Sequence, residues 1–223
     1  MTQSRIPVYF MPGMAANPSI FKNIELPKDD YDIYMLEWFI PTGNMSLEDY
    51  AKEMINRIAH ENPILIGVSF GGIVVQEMAK LISTRKIVII SSVKLNKELP
   101  KRMLFAKYTK IHKLLPYGII NNVELIAKYA FGEHVKKRLK LYEEYLSIRD
   151  PHYLSWALDK MINWNQEKYA SNLVHIHGEK DPVFPIGHIK NCIHVKNGTH
   201  AMIVYQYRWF NLHLPKIIGS HGS

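Results

Sequence analysis

Six short apolar runs, each separated from the next by segments with helical spacing, constrain this chain more than any other feature. They are IPVYFM (Ile6 to Met11), DIYMLEW (Asp32 to Trp38), PILIGV (Pro63 to Val68), KIVIISSV (Lys86 to Val93), NLVHIHG (Asn172 to Gly178) and CIHV (Cys192 to Val195). Runs that are apolar at successive positions bury both faces, so they suit a parallel sheet covered by helices on each side. Their alternation with helical patterns predicts an α/β fold. Between the runs, Ser46 precedes Leu47, Tyr50, Met54 and Ile58 at helical spacing, with Glu48 and Asp49 in the first turn, which predicts a helix to about His60. A second helix is expected to begin at the Gly71-Gly72 pair and to continue through Ile73, Val74, Met78 and Leu81.

From 96 to 166 the alternation stops, and helical pattern continues without a buried strand. Leu104, Tyr108, Ile111 and Leu115 form one apolar stripe; Val135, Leu139, Tyr142 and Leu146 form a second. Both stripes need a surface to cover. The expected organisation is one core made of residues 1–95 and 167–223, with 96–166 as a helical cap across the strand ends. A chain of 223 residues has room for one such core and little more.

Composition narrows the setting. Cys192 is the single cysteine, which rules out an internal disulfide framework, fits a reducing compartment and reads as a small apolar filler. The opening MTQSRIPVYFMPG lacks the layout of a secretory signal, and no run approaches the roughly 20 apolar residues that cross a bilayer. A cytoplasmic location without a transmembrane segment is expected. The net charge of +8 is concentrated between Lys94 and Lys140, where twelve Lys and Arg face three Glu, a local balance of +9. That cluster reads as a solvated helical surface, with an acidic substrate or an anionic membrane surface as its alternatives. No nucleic-acid motif accompanies it. Gly219 to Ser223 read as a frayed end.

The chemistry begins at Gly67-Val68-Ser69-Phe70-Gly71, a G-x-S-x-G pentapeptide. An apolar strand runs into it and an apolar-faced helix leaves it, which is the strand, sharp turn and helix that display a nucleophile. Gly67 and Gly71 keep the strained turn free of side chains, and Gly72 allows close packing of the helix on its strand. A serine hydroxyl needs a base to become a nucleophile at neutral pH. Of eleven histidines, His200 in Lys196-Asn197-Gly198-Thr199-His200 follows the last strand through a turn-rich stretch and can reach back over the sheet edge. His175 and His177 sit on a strand and read as packing partners there. For the carboxylate, Gly178-Glu179-Lys180-Asp181-Pro182 puts Asp181 in a turn after the fifth strand, with Glu179 and Glu98 as rivals.

Through GVSFGG, GEKDP and GTHAM, in the chain order Ser, Asp, His, the sequence resembles the α/β-hydrolase superfamily over essentially its whole length. The resemblance implies a sheet with its strands in spatial order 2-1-3-4-5-6, without the leading antiparallel hairpin and with the helical cap inserted after the fourth strand. It also implies an oxyanion hole from the backbone N–H groups of Met14 and Phe70, with Pro12 where relatives carry histidine. Phe105, Tyr108, Tyr129, Phe131, Trp156 and Met161 are available to an apolar roof. The expected activity is carboxylester hydrolysis of a small to medium apolar ester through an acyl-enzyme on Ser69, with no metal or organic cofactor required. Thioester, carbon-carbon bond and amide hydrolysis use the same groups, and a ligand receptor without turnover is the alternative of another class.

Overall fold

A computed structural model describes residues 5–110 and 144–219. Its six strands are β1 (Ile6–Met11), β2 (Tyr31–Met35), β3 (Ile64–Val68), β4 (Lys86–Ile90), β5 (Leu173–Gly178) and β6 (Ile193–Val195). They form one sheet in the order β2-β1-β3-β4-β5-β6, every neighbouring pair parallel, as the resemblance implied. β3 and β4 are buried at every position. Because successive side chains point to opposite faces, that pattern requires cover on both sides of the sheet.

Helices α1 (Leu47–Ile55), α2 (Phe70–Met78), α3 (Lys101–Thr109), α4 (Pro151–Asn163), α5 (Met202–Tyr205) and α6 (Tyr207–Gly219) supply the described cover. α2 packs against β1, β3, β4 and α1, and Ile73 and Val74 join Val8, Phe10, Ile66 and Ile89 in the core. Two helix starts are capped as their sequences suggest. Ser46 Oγ accepts the Asp49 N–H at 3.0 Å, and Asp150 Oδ1 accepts the Tyr153 N–H at 2.8 Å with Pro151 at the first helical position.

Element ends depart from expectation where the backbone turns on residues that do not advertise it. α1 stops at Ile55 rather than near His60, because the N–H groups of Arg57 and Ile58 fold back on the carbonyls of Met54 and Ile55 in a tightened last turn. α2 stops at Met78, whose carbonyl receives the N–H groups of both Leu81 and Ile82, and Leu81 is left exposed. β4 stops at Ile90 rather than Val93, because Ser91 adopts a left-handed φ of 48°. β2 starts one residue early and ends at Met35, before the chain turns away toward Trp38.

Between β4 and β5, α3 and α4 pack on each other. α3 meets the core through Met103 and Leu104. Tyr108, expected on the same stripe as Leu104, is 83% exposed, and Phe105 is 62% exposed. Both point off the face that Met103, Leu104 and Ala106 turn to the core, and Lys110 follows with a φ of 55°. Trp156, Met161 and Leu146 are buried. Ile111, Leu115, Tyr129, Phe131, Val135, Leu139, Tyr142 and the last four residues lie outside the described residues. Among the described residues, no helix is long and apolar enough to cross a membrane.

Candidate active site

Three side chains far apart in sequence meet at the carboxyl ends of the strands. Ser69 follows β3 at the middle of the sheet, Asp181 follows β5 and His200 follows β6. The Ser69 hydroxyl donates to His200 Nε2 at 2.9 Å, and His200 Nδ1 donates to Asp181 Oδ2 at 2.9 Å. All three are at most 9% exposed.

The turn around Ser69 is strained and held on both sides. Ser69 has φ 54° and ψ −122°, a conformation that costs a residue with a Cβ on the order of 1–3 kcal/mol. Its N–H donates to the Ile90 carbonyl at 2.9 Å, while its carbonyl accepts the Ser92 hydroxyl at 2.7 Å and the Gly72 N–H at 2.9 Å. The glycines explain how backbone comes this close. A Cβ on Gly67 would run into the Gly71 carbonyl, and one on Gly71 into the carbonyls of Pro12 and Met11. One on Gly72 would lie 2.5 Å from Ser92 Oγ.

Asp181 is oriented from both of its oxygens. While Oδ2 faces His200, Oδ1 accepts the N–H groups of Val183 at 2.8 Å and Phe184 at 3.0 Å. Burial pushes its carboxyl up, but the charge and hydrogen bond of His200, with the Phe184 N–H, outweigh this and hold it below the ordinary carboxylate range. Behind it, His177 donates from Nε2 to the Phe184 carbonyl at 2.8 Å, 3.6 Å from Asp181 Oδ2. That carbonyl can only accept, so His177 Nδ1 is left to accept from His175 Nε2 at 3.1 Å. Burial depresses both rings below the ordinary histidine range, His175 furthest. The rival acids are engaged elsewhere: Glu98 accepts the Lys94 N–H at 2.8 Å, and Glu179 accepts the Asn197 N–H at 3.3 Å. Cys192 is half-buried beside the Lys94–Glu98 pair, and burial pushes its thiol up.

The loop after β1 lies against the serine. A Cβ on Gly13 would be 3.3 Å from Ser69 Cβ. The Gly13 carbonyl accepts the Ala16 N–H at 3.0 Å and the Trp38 indole N–H at 2.9 Å. Among the described residues, neither the Met14 nor the Phe70 N–H meets an acceptor. Ala15 and Asn17 in turn pair with the returning chain, through Ile148 N–H to Ala15 O at 3.1 Å and Asn17 N–H to Tyr145 O at 2.9 Å. On the opposite side, Arg102 Nη2 of α3 donates to the Pro182 and Val183 carbonyls at 2.8 and 2.6 Å. Among the described residues, no group of three or more His, Cys, Asp and Glu is arranged to hold a metal ion.

Solved structures share this architecture from end to end. A bromoperoxidase from Bacillus anthracis superposes with a TM-score of 0.70 over 97% of this chain and 93% of its own, at 13% identity. A lipase-esterase related protein from Clostridium acetobutylicum gives 0.67 over 97% and 96% at 18% identity, and the enol-lactonase from Burkholderia xenovorans 0.69 over 98% and 93% at 8%. The chain has the α/β-hydrolase fold. No family model and no curated protein matches the sequence.

Within this α/β-hydrolase fold, the seven residues expected at the nucleophile, base, acid, elbow and oxyanion hole lie near the carboxyl ends of the strands. Ser69, His200 and Asp181 are in hydrogen-bond contact, Gly67 lies against the Gly71 carbonyl and Gly71 against those of Pro12 and Met11, and Met14 and Phe70 follow Gly13 and Ser69 directly. Three supports went unread. Ser92 sits in an apolar run with strand pattern, nothing in the sequence signals the His177 bond to Phe184, and Trp38 reaches Gly13 across 25 residues of chain. Only the two adjacent serines in KIVIISSV, polar residues in a buried run, offered a local signal.

Proposed function

We propose that this protein is a serine hydrolase that cleaves a small to medium carboxylic ester, with 96–166 as a cap over its site. The carrying observation is the chain of two 2.9 Å hydrogen bonds from Ser69 through His200 to Asp181. As Ser69 Oγ forms its bond to the ester carbonyl carbon, its proton passes to His200 Nε2, and Asp181 stabilises the imidazolium at Nδ1. The carbonyl oxygen, now negative, lies against the N–H groups of Met14 and Phe70. Collapse breaks the bond to the alcohol oxygen, which leaves with the proton from His200. Water then adds to the acyl carbon as one of its protons passes to His200 Nε2; collapse breaks the bond to Ser69 Oγ, which takes that proton back from the ring, and the acid departs. These steps need no metal or organic cofactor. The single cysteine supports a cytoplasmic setting.

A fluorophosphonate probe tests the reading directly: it is expected to label the wild type once and to leave Ser69→Ala unlabelled. p-Nitrophenyl esters of graded chain length, beside thioester and amide analogues, then report the bond type. An unlabelled wild type that binds esters without turnover would replace the enzyme with a ligand receptor.

A further inference from the structure

We infer that Trp38 is the positioning residue of the oxyanion-binding peptides, holding the Gly13–Met14 peptide by a hydrogen bond and the Phe70 residue by ring stacking. The inference rests on the serine-hydrolase reading. Trp38 is 8% exposed, and its indole N–H donates to the Gly13 carbonyl at 2.9 Å. In a trans peptide the C=O and the following N–H point in opposite directions. The bond that fixes the Gly13 carbonyl therefore fixes the direction of the Met14 N–H, aiming it away from the indole, and that N–H has no acceptor among the described residues.

The same indole lies flat against the Phe70 ring, with centroids 5.4 Å apart and planes 13° from parallel. Phe70 carries the other unpaired N–H. One side chain thus spans both donors, although Met14 follows β1 and Phe70 opens α2. Trp38 is itself braced by Tyr153 of α4 at 5.3 Å and Tyr50 of α1 at 6.1 Å. Tyr50 fixes the chain next to it, since its hydroxyl accepts the Phe39 N–H at 3.0 Å and donates to the Phe39 carbonyl at 2.9 Å.

A loop with a left-handed alanine, φ 65° at Ala15, needs such a tether. The Ala16 N–H bonds the same carbonyl, but from within the turn; the chain at 145–148 holds the turn further on, at Ala15 and Asn17, and the indole is the bond that ties the Gly13 carbonyl itself to a residue outside the turn. Without it the Met14 N–H swings relative to Ser69. The loss falls on the step in which charge forms on the substrate oxygen rather than on substrate binding.

Two replacements separate the hydrogen bond from the packing: Trp38→Phe, and 3-benzothienylalanine at residue 38, which keeps the indole shape with sulfur in place of N–H. For the benzothienyl protein, kcat is expected to fall about 10- to 100-fold with KM within about twofold. The affinity for a trifluoromethyl ketone transition-state analogue is expected to fall by the same factor as kcat/KM. Trp38→Phe is expected to follow the same pattern, and the benzothienyl protein decides if it does not fold. Unchanged kcat and unchanged analogue affinity in a folded benzothienyl protein would overturn the inference, as would a loss confined to KM or thermal stability. A wild type without Ser69-dependent labelling would instead overturn the hydrolase reading on which it rests.

Discussion

Ser69, the proposed nucleophile, is strained at a φ of 54°, and the strain can be measured apart from the chemistry. Ser69→Ala keeps a Cβ in the left-handed region and Ser69→Gly does not, so the glycine variant is expected to be more stable by about 1 kcal/mol in urea unfolding. Asp181→Asn is expected to lower kcat by about 10,000-fold with little change in KM, because the amide favours the wrong tautomer of His200. At Gly71, an alanine Cβ would press on two backbone carbonyls that have no side-chain freedom. Gly71→Ala is expected to cost about 3 kcal/mol and to show as a lowered denaturation midpoint. These residues were legible because each announces itself within its own stretch of chain: an apolar strand entering G-x-S-x-G, an Asp-Pro turn, a turn-rich segment before a histidine. Trp38 was not, because its bond to Gly13 depends on how two strands and two helices pack.

Elements follow the same division. The central strands were readable because burial on both faces forces uninterrupted apolar runs, which β3 and β4 satisfy at every residue, while the edge strands β2 and β6 keep exposed positions. Their ends were not, because β4 is stopped by a left-handed Ser91, and serine carries no signal for that conformation as glycine would. The spatial order of strands came from the family resemblance rather than from periodicity, which says nothing about neighbours. Helix starts were more legible than helix stops. The Asp150 cap opens α4, which braces Trp38 through Tyr153, so Asp150→Ala is expected to remove about 1 kcal/mol from the stability measured by denaturant titration. The exposed Tyr108 shows the limit of spacing, since a stripe specifies a face and not whether anything lies against it.

At the scale of the whole molecule, buried histidines tie stability to pH. His175 and His177 are held neutral by burial, with folded pKa values below 6.5, the ordinary value that they regain on unfolding. The unfolded chain therefore binds more protons as pH falls through about 6.5, and stability falls with it, by up to about 1.4 kcal/mol per pH unit for each ring. Thermal midpoints at pH 8, 7, 6 and 5 are expected to decline below about pH 6.5, and His175→Gln is expected to flatten that decline. Asp181 adds the same sign at more acid pH, because its depressed carboxyl must be protonated as the fold is lost. Two contacts made by the segment between β4 and β5 carry a different consequence. Arg102 of α3 grips the turn bearing the carboxylate; the chain at 145–148, ahead of α4, grips the loop bearing the Met14 amide. For the proposed ester hydrolase, an acyl group bulky enough to wedge these two contacts apart is expected to slacken acid and amide at once, so that oversized esters still dock but turn over slowly, and selection by size is exercised on the rate.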